Sequence, residues 1–227
     1  MLEAAEGGGV RLIAADTLRA HEDVLRWVTR HRGRNGCILV VNAPIIVTNM
    51  SGARPCDKLV QEHFARFKID EVANNIVSAS HPRTMGSGLM RMGFDPDPGA
   101  EGDRIVETHT QSAQIMMFGL DRPVRMKTGP IGGRKESVAR MRELIGEVFM
   151  QTEPVLHVTP ELDQLLDAHL PDLNGTRIGE LEEKIEALLC AWIGAWLGIR
   201  GPEACAFLGD LDRGYVLLPD PGRTQQE

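Results

Sequence analysis

CILVVNAPIIVTNMSGARPCD, residues 37–57, reads as a strand, a loop and the start of a helix. Cys37-Ile38-Leu39-Val40-Val41 is an unbroken apolar run, the composition of a buried strand. It passes directly into Asn42-Ala43-Pro44. A polar side chain therefore stands at the carboxyl end of an apolar strand, where open α/β sheets bind ligands. Asn49 to Pro55 is a polar loop, and a helix begins near Cys56-Asp57. The stretch predicts an α/β fold with a site at this strand end. It also puts an amide where a metal-dependent enzyme would want a carboxylate.

Working outward, Glu3 to Gly9 reads as a turn and Val10 to Ala15 as a short strand. Asp16 or Thr17 can cap a helix reaching Arg30, with Leu18, Val24, Leu25 and Val28 on one face and Trp27 beside it. Arg32 to Gly36 is a turn before the central strand. On the other side, a helix over Cys56–Lys68 buries Leu59, Val60, Phe64 and Phe67. Residues 69–103, rich in Gly, Pro, Asn and Ser, predict a long irregular segment. Arg104–His109 alternates like a strand, and Gln111–Phe118 is a short helix closed by Gly119. Gly129 to Gly133 breaks the chain before a basic amphipathic helix, Arg134–Phe149. Further helices are predicted over Glu161–His169 and Ile178–Leu197, and a last strand over Gly214–Leu218, ended by Pro219. The expectation is one domain over residues 1–220, then a polar tail, residues 221–227.

The chain has 227 residues, enough for one α/β domain, and 42% of them are hydrophobic, enough for a core. Only 4% are aromatic, so that core is largely aliphatic. A net charge of -7 argues against a general nucleic-acid scaffold, which would carry a basic face. Cys37, Cys56, Cys190 and Cys205 form no CxxC pair and predict reduced thiols. The acidic start MLEAAEGGG lacks the apolar centre of a signal peptide. No apolar run reaches the roughly 18 residues of a membrane span. A soluble cytoplasmic protein is expected.

Polar groups at three places are candidates for a shared site. Asn42 ends the central strand, Glu107 lies on a second strand, and Glu186 follows Glu182 by four residues on one face of the long helix. Carboxylates from separate elements suit hard cations such as magnesium or manganese. Two such ions about 4 Å apart activate water and stabilise the leaving oxygen in phosphodiester cleavage. A solvated helix face accounts equally well for Glu182 and Glu183. His109 shares a strand face with Glu107 and suits a ligand, a proton shuttle or a structural role. Arg125, Lys127, Arg134 and Lys135 bracket the Gly129-Pro130 break and suit phosphates or plain solvation. There is no GxxxxGK[ST], GxGxxG, GxSxG or zinc spacing.

The segment VVNAPIIVTNMSGARPCDK resembles the signature of an uncharacterised family of predicted nucleases in the ribonuclease H-like superfamily. That signature has Asp-Ala-Pro at a strand end, then Asn, Gly, Arg and an acidic residue. Here Ala43, Pro44, Asn49, Gly52, Arg54, Pro55, Cys56 and Asp57 fit it. RIVETHTQSAQIMMFGL, residues 104–120, is similar to the family's second block, and Arg125–Pro130 to its Lys-containing block. Ile185–Trp196 resembles its carboxy-terminal helix and Leu208–Pro219 its terminal strand. The blocks keep the family's order over nearly the whole chain.

The resemblance implies a ribonuclease H-like mixed sheet flanked by helices, with acidic residues holding magnesium or manganese. It implies Asn42, Glu107 and Glu186 as catalytic and metal-binding residues facing one cleft, and Arg54, Lys127 and His109 as substrate contacts. Asn42 and Glu186 both stand where the family has Asp, and His109 and Thr110 replace Tyr and Pro. Folds of this kind open with a strand carrying the first catalytic Asp, and this chain begins after it, so another segment or a second subunit is expected to fill the gap. The leading expectation is a metal-dependent nuclease-type hydrolase, impaired in this form. The alternatives are a degenerate, non-catalytic domain binding nucleic acid or a protein partner, or a small-molecule phosphohydrolase or transferase.

Overall fold

The computed structural model describes residues 1–33 and 36–223. Arg34 and Asn35 of the expected turn, and residues 224–227 of the expected tail, lie outside the described residues. The elements run β1 (Leu2–Ala4), β2 (Val10–Leu12), α1 (His21–His31), β3 (Ile38–Val41), α2 (Pro55–His63), α3 (Ser80–Arg91), β4 (Arg104–Glu107), α4 (Thr110–Phe118), α5 (Ile131–Leu144), β5 (Leu156–His157), α6 (Pro160–Leu166), α7 (Gly175–Arg200), β6 (Cys205–Asp210) and β7 (Gly214–Pro219). The protein is mixed α/β, with three small sheets. No helix among the described residues is long and apolar enough to cross a membrane. The four cysteines are free thiols, three of them buried.

The chain divides into two compact units, Met1–Thr17 with Val124–Ile199, and Leu18–Pro123 with Arg200–Glu227. In the first, β2 pairs antiparallel with β1 and parallel with β5. The second half of α7 is buried around most of its circumference: Leu188, Leu189, Trp192 and Trp196 are each at most 2% exposed, and Cys190, Ile193 and Leu197 are buried with them. Trp192 stacks flat on Phe149 at 4.2 Å, and its ring N–H donates to the Pro154 carbonyl. Phe149 sits in a π-helical turn, Ile145–Phe149, that extends α5. The helix begins at Ile131, so Gly132 and Gly133 belong to its first turn and not to the preceding break.

In the second unit the expected strand forms over Ile38–Val41, and its residues are half-buried rather than buried. β3 pairs parallel with β4 in the register Val41↔Glu107, which brings the strand ends together. β6 and β7 form an antiparallel hairpin, and all six residues of β7 are buried. The Thr108 hydroxyl donates to the Leu217 carbonyl at 2.8 Å, and the Tyr215 hydroxyl to Ile105 at 3.4 Å, fastening this hairpin beside β4. β6 was absent from the sequence reading, because Cys205–Asp210 alternates too weakly to stand without its partner.

Two further expectations are corrected. Asp16 and Thr17 do not cap α1, which begins at His21 after Ala20 with no side-chain cap. The segment expected to be irregular contains α3, a helix of 12 residues. Its Pro82 lies in the first turn, where the ring is tolerated. Gly86 and Gly88 lower its helix propensity but permit close packing: a Cβ on Gly86 would lie 3.2 Å from Ile45 Cβ. The cluster of Val28, Ile45, Leu89, Phe94 and Ile105 that α3 helps to build supplies the burial that offsets the poor local propensity.

Gly209 is the tightest point of the hairpin. Its φ is +119°, and a Cβ there would sit 2.3 Å from the Gly214 carbonyl oxygen and 2.7 Å from Cys56 Cβ. Gly209→Ala is expected to lower stability by at least about 2 kcal/mol, read from urea unfolding. A variant as stable as the parent would mean that the hairpin does not press on α2.

Candidate functional site

Buried polar residues mark the site. Of the eight in the described chain, seven fall in two stretches: Arg54 and Asp57, then Glu107, Thr108, Thr110, Ser112 and Gln114. The first pair opens α2. Pro55 presets the first helical turn, and Asp57 accepts the Arg54 main-chain N–H at 3.0 Å, the acidic half of a capping box without the reciprocal side-chain bond. The second stretch crosses from the end of β4 into α4, which Gly119 terminates at a positive φ of 61°.

Arg54 is fully buried, and its guanidinium is fully engaged. Its five N–H donors meet acceptors in five hydrogen bonds. Nε and Nη2 donate to Asp57 Oδ1 at 3.1 and 2.7 Å. Nη2 also donates to Glu107 Oε1 at 2.5 Å, and Nη1 to Glu107 Oε2 at 2.9 Å. Nη1 reaches the Ile46 carbonyl at 3.0 Å. The carboxylates have further donors: Glu107 Oε2 accepts the Ile45 N–H at 3.0 Å, and Asp57 accepts the Asn74 main-chain N–H at 2.8 Å. Gly214 lets β7 approach, since a Cβ there would lie 2.6 Å from the Ile46 carbonyl oxygen and 3.0 Å from Arg54 Nη1.

Burial opposes every charge in this network. For Arg54 it is outweighed by Glu107 and Asp57, so the guanidinium stays protonated throughout the accessible range. For Asp57 burial is again outweighed, by Arg54 and by the main-chain N–H groups of Asn74 and Arg54, and the carboxyl titrates below its usual 3.8. For Glu107, only 3% exposed, burial is the largest influence and pushes the carboxyl upward against the pull of Arg54 and the Ile45 N–H. The Cys56 thiol beside them is pushed up to about 12 by burial, which makes it a poor nucleophile.

The residues expected to share a site are distributed as follows. Asn42 and Glu107 come together at the carboxyl ends of β3 and β4. Asn42 Oδ1 accepts the Thr110 N–H at 3.2 Å, serving as a remote cap on α4. His109 Nδ1 lies 2.8 Å from Ser112 Oγ on the first turn of the same helix. Arg54, expected as a substrate contact, is instead internal. Glu186 and Lys127 belong to the other unit, where they form an ion pair with each other. Glu182, also in that unit, is paired bidentately with Arg134, Nε to Oε1 at 2.8 Å and Nη2 to Oε2 at 2.5 Å. Arg125 is exposed.

Asp57 was quoted only as a motif residue, and Asn74 and Gly214 were not singled out at all. The Arg54-x-x-Asp57 spacing at a helix start was the available signal, because an acidic third residue with a preceding cap is a helix-start pattern. Asn74 and Gly214 are joined to the network only by tertiary contacts.

Magnesium or manganese would need carboxylate oxygens at 2.0–2.6 Å, roughly. All four oxygens of Asp57 and Glu107 already accept N–H groups, so an ion would have to displace the guanidinium. Among the described residues no three His, Cys, Asp or Glu side chains are grouped to hold a metal. Comparison with models of protein families, with curated proteins and with solved structures finds no match for this chain.

The Asp57 shift carries a definite sign. Its folded pKa is below its unfolded value, so its stabilisation is present above about pH 3.8 and is lost as pH falls through the folded value. The cost of Asp57→Asn, measured by urea unfolding, is expected to be largest near neutral pH and to shrink below pH 3.8. A cost independent of pH would remove Asp57 as the ionised partner of Arg54.

Proposed function

We propose that this chain is a non-catalytic, degenerate ribonuclease H-like domain that binds a protein partner beside its central strand end. The observation that carries this reading is the engagement of Glu107, the one carboxylate at the β3–β4 strand ends, by Arg54. A carboxylate with both oxygens held by a buried guanidinium is poorly placed to ligate an ion or to activate water. The net charge of -7 favours a protein over nucleic acid as partner. Apolar surface beside the network supports the same choice. Met50 and Val77 are 74% and 75% exposed, on two loops joined by the Ile76 N–H to Asn49 carbonyl bond.

A second reading, metal-dependent phosphodiester hydrolysis with magnesium or manganese, is favoured by one observation. Asn42 and Glu107 stand at the carboxyl ends of adjacent parallel strands, the usual ligand position in open α/β sheets. It requires Arg54 to leave Glu107.

The two readings separate in a hydrolysis assay with manganese, on single- and double-stranded DNA, RNA and a simple phosphate ester, using the parent and Asn42→Asp. No turnover above the metal blank is expected from either. Turnover that rises in Asn42→Asp would establish the nuclease reading. The same variant is informative in unfolding: Asp at 42 keeps the acceptor for Thr110 N–H and adds negative charge at the α4 N-terminus. A gain of about 0.5 kcal/mol is expected if residue 42 acts as a cap.

A further inference from the structure

We infer that Asp57, Glu107 and the Ile46 carbonyl form a receptor for a planar guanidinium cation, occupied by the chain's own Arg54. This rests on the reading of Glu107 as engaged rather than catalytic, and goes beyond it by assigning the pocket a ligand class. Two features select that class over a metal or an ammonium ion. First, every donor is used: five N–H groups make five bonds of 2.5–3.1 Å to four acceptor oxygens, Asp57 Oδ1 taking two of them. A metal ion draws its ligands to within roughly 2.0–2.6 Å of one point, whereas a guanidinium fork serves acceptors spread around the edge of a plane. Second, the acceptors are held in that pattern by groups other than Arg54's side chain. Ile45 N–H fixes Glu107 Oε2, and the main-chain N–H groups of Arg54 and Asn74 both fix Asp57 Oδ2. These main-chain bonds do not involve the guanidinium, and they are what would hold the acceptors for an outside cation once the side chain is truncated.

The pocket is also closed against larger occupants. Arg54, Asp57 and Glu107 are at most 3% exposed, and Gly214 presses its backbone against the guanidinium edge. Truncating the arginine leaves a space of its own shape, lined by two carboxylates. The cation that fits is a small guanidinium, and the variant that exposes the site is Arg54→Ala.

The experiment is chemical rescue read by thermal unfolding. Arg54→Ala is expected to melt about 10 °C below the parent, because two buried carboxylates lose their counter-ion. Methylguanidinium at millimolar concentration should recover several degrees in Arg54→Ala and none in the parent. Methylammonium and manganese at equal ionic strength should recover less. Recovery by manganese equal to or above that by methylguanidinium would overturn the assignment in favour of a metal pocket. Absence of rescue by any cation in a folded variant would overturn it as well.

Should Arg54→Ala fail to fold, the parent supplies the test. The Arg54 Nε–H, bonded to Asp57, should give a resolved side-chain proton resonance that exchanges with water at least about tenfold more slowly than exposed arginines. Free exchange would sink the inference. Hydrolytic activity in the parent would overturn the functional proposal but leaves the rescue result intact, so the two fail separately.

Discussion

A guanidinium with no access to water must find an acceptor for each of its donors, and the second unit is arranged around that demand. Arg54 reaches two carboxylates and a carbonyl belonging to three different stretches of chain: the loop after β3, the first turn of α2 and the end of β4. Each stretch is thereby held at hydrogen-bond distance from one side chain. The Ile45 N–H shares Glu107 Oε2 with Arg54 and the Asn74 N–H takes Asp57 Oδ2, so the network also anchors the loops before and after α2. Buried ion pairs of this kind contribute little net stability against an apolar replacement, but breaking one leaves an uncompensated charge and is costly. The network joins the loop after β3, the start of α2 and the end of β4 through one side chain. It penalises any packing of α2 against β4 and β7 that moves an acceptor away.

The other charged pairs carry less weight. Lys127 is half exposed beside Glu186, so water competes for both groups. Arg134 with Glu182 is intermediate, since the carboxylate is 1% exposed and the arginine 21%. In the second pair the buried carboxylate again receives a bidentate arginine. The same rule operates at Glu107: an acid taken out of water in this chain is met by a guanidinium fork, whose geometry serves both oxygens at once.

The sequence was most legible where local pattern and tertiary environment agree. The apolar run before Asn42, the Gly119 helix stop and the long helix over Ile178–Leu197 all form where their patterns predict. It was least legible where packing overrides propensity. Residues 80–91 contain Pro82, Gly86 and Gly88, and only the close approach to Ile45 explains why such a segment is helical. β6 needed its hairpin partner to be recognised. For the candidate site, Asn42 and Glu107 stand at the ends of two strands that pair in parallel, a neighbourhood that the strand patterns alone do not specify. The internal role of Arg54 was not legible, because burial of a charge depends on acceptors that arrive from distant positions.

Arg54, Asp57 and Glu107 all lie within the two stretches whose pattern resembles a nuclease signature. Motif residues are commonly read as chemistry, yet acid and arginine at these spacings also satisfy a purely structural requirement. A helix whose first turn carries Arg and Asp, set beside a strand ending in Glu, closes a complete set of donors and acceptors with no ligand. Conversely, a metal-binding version of the same strand end needs at least one carboxylate outside the guanidinium's reach. Position 42 is where such a group would stand, at the tip of β3 beside Glu107, and here it is an amide that caps α4. At this strand end the Asn42 amide oxygen is taken by the Thr110 N–H and both Glu107 oxygens are taken by Arg54, so the donors and acceptors at the tips of β3 and β4 satisfy one another.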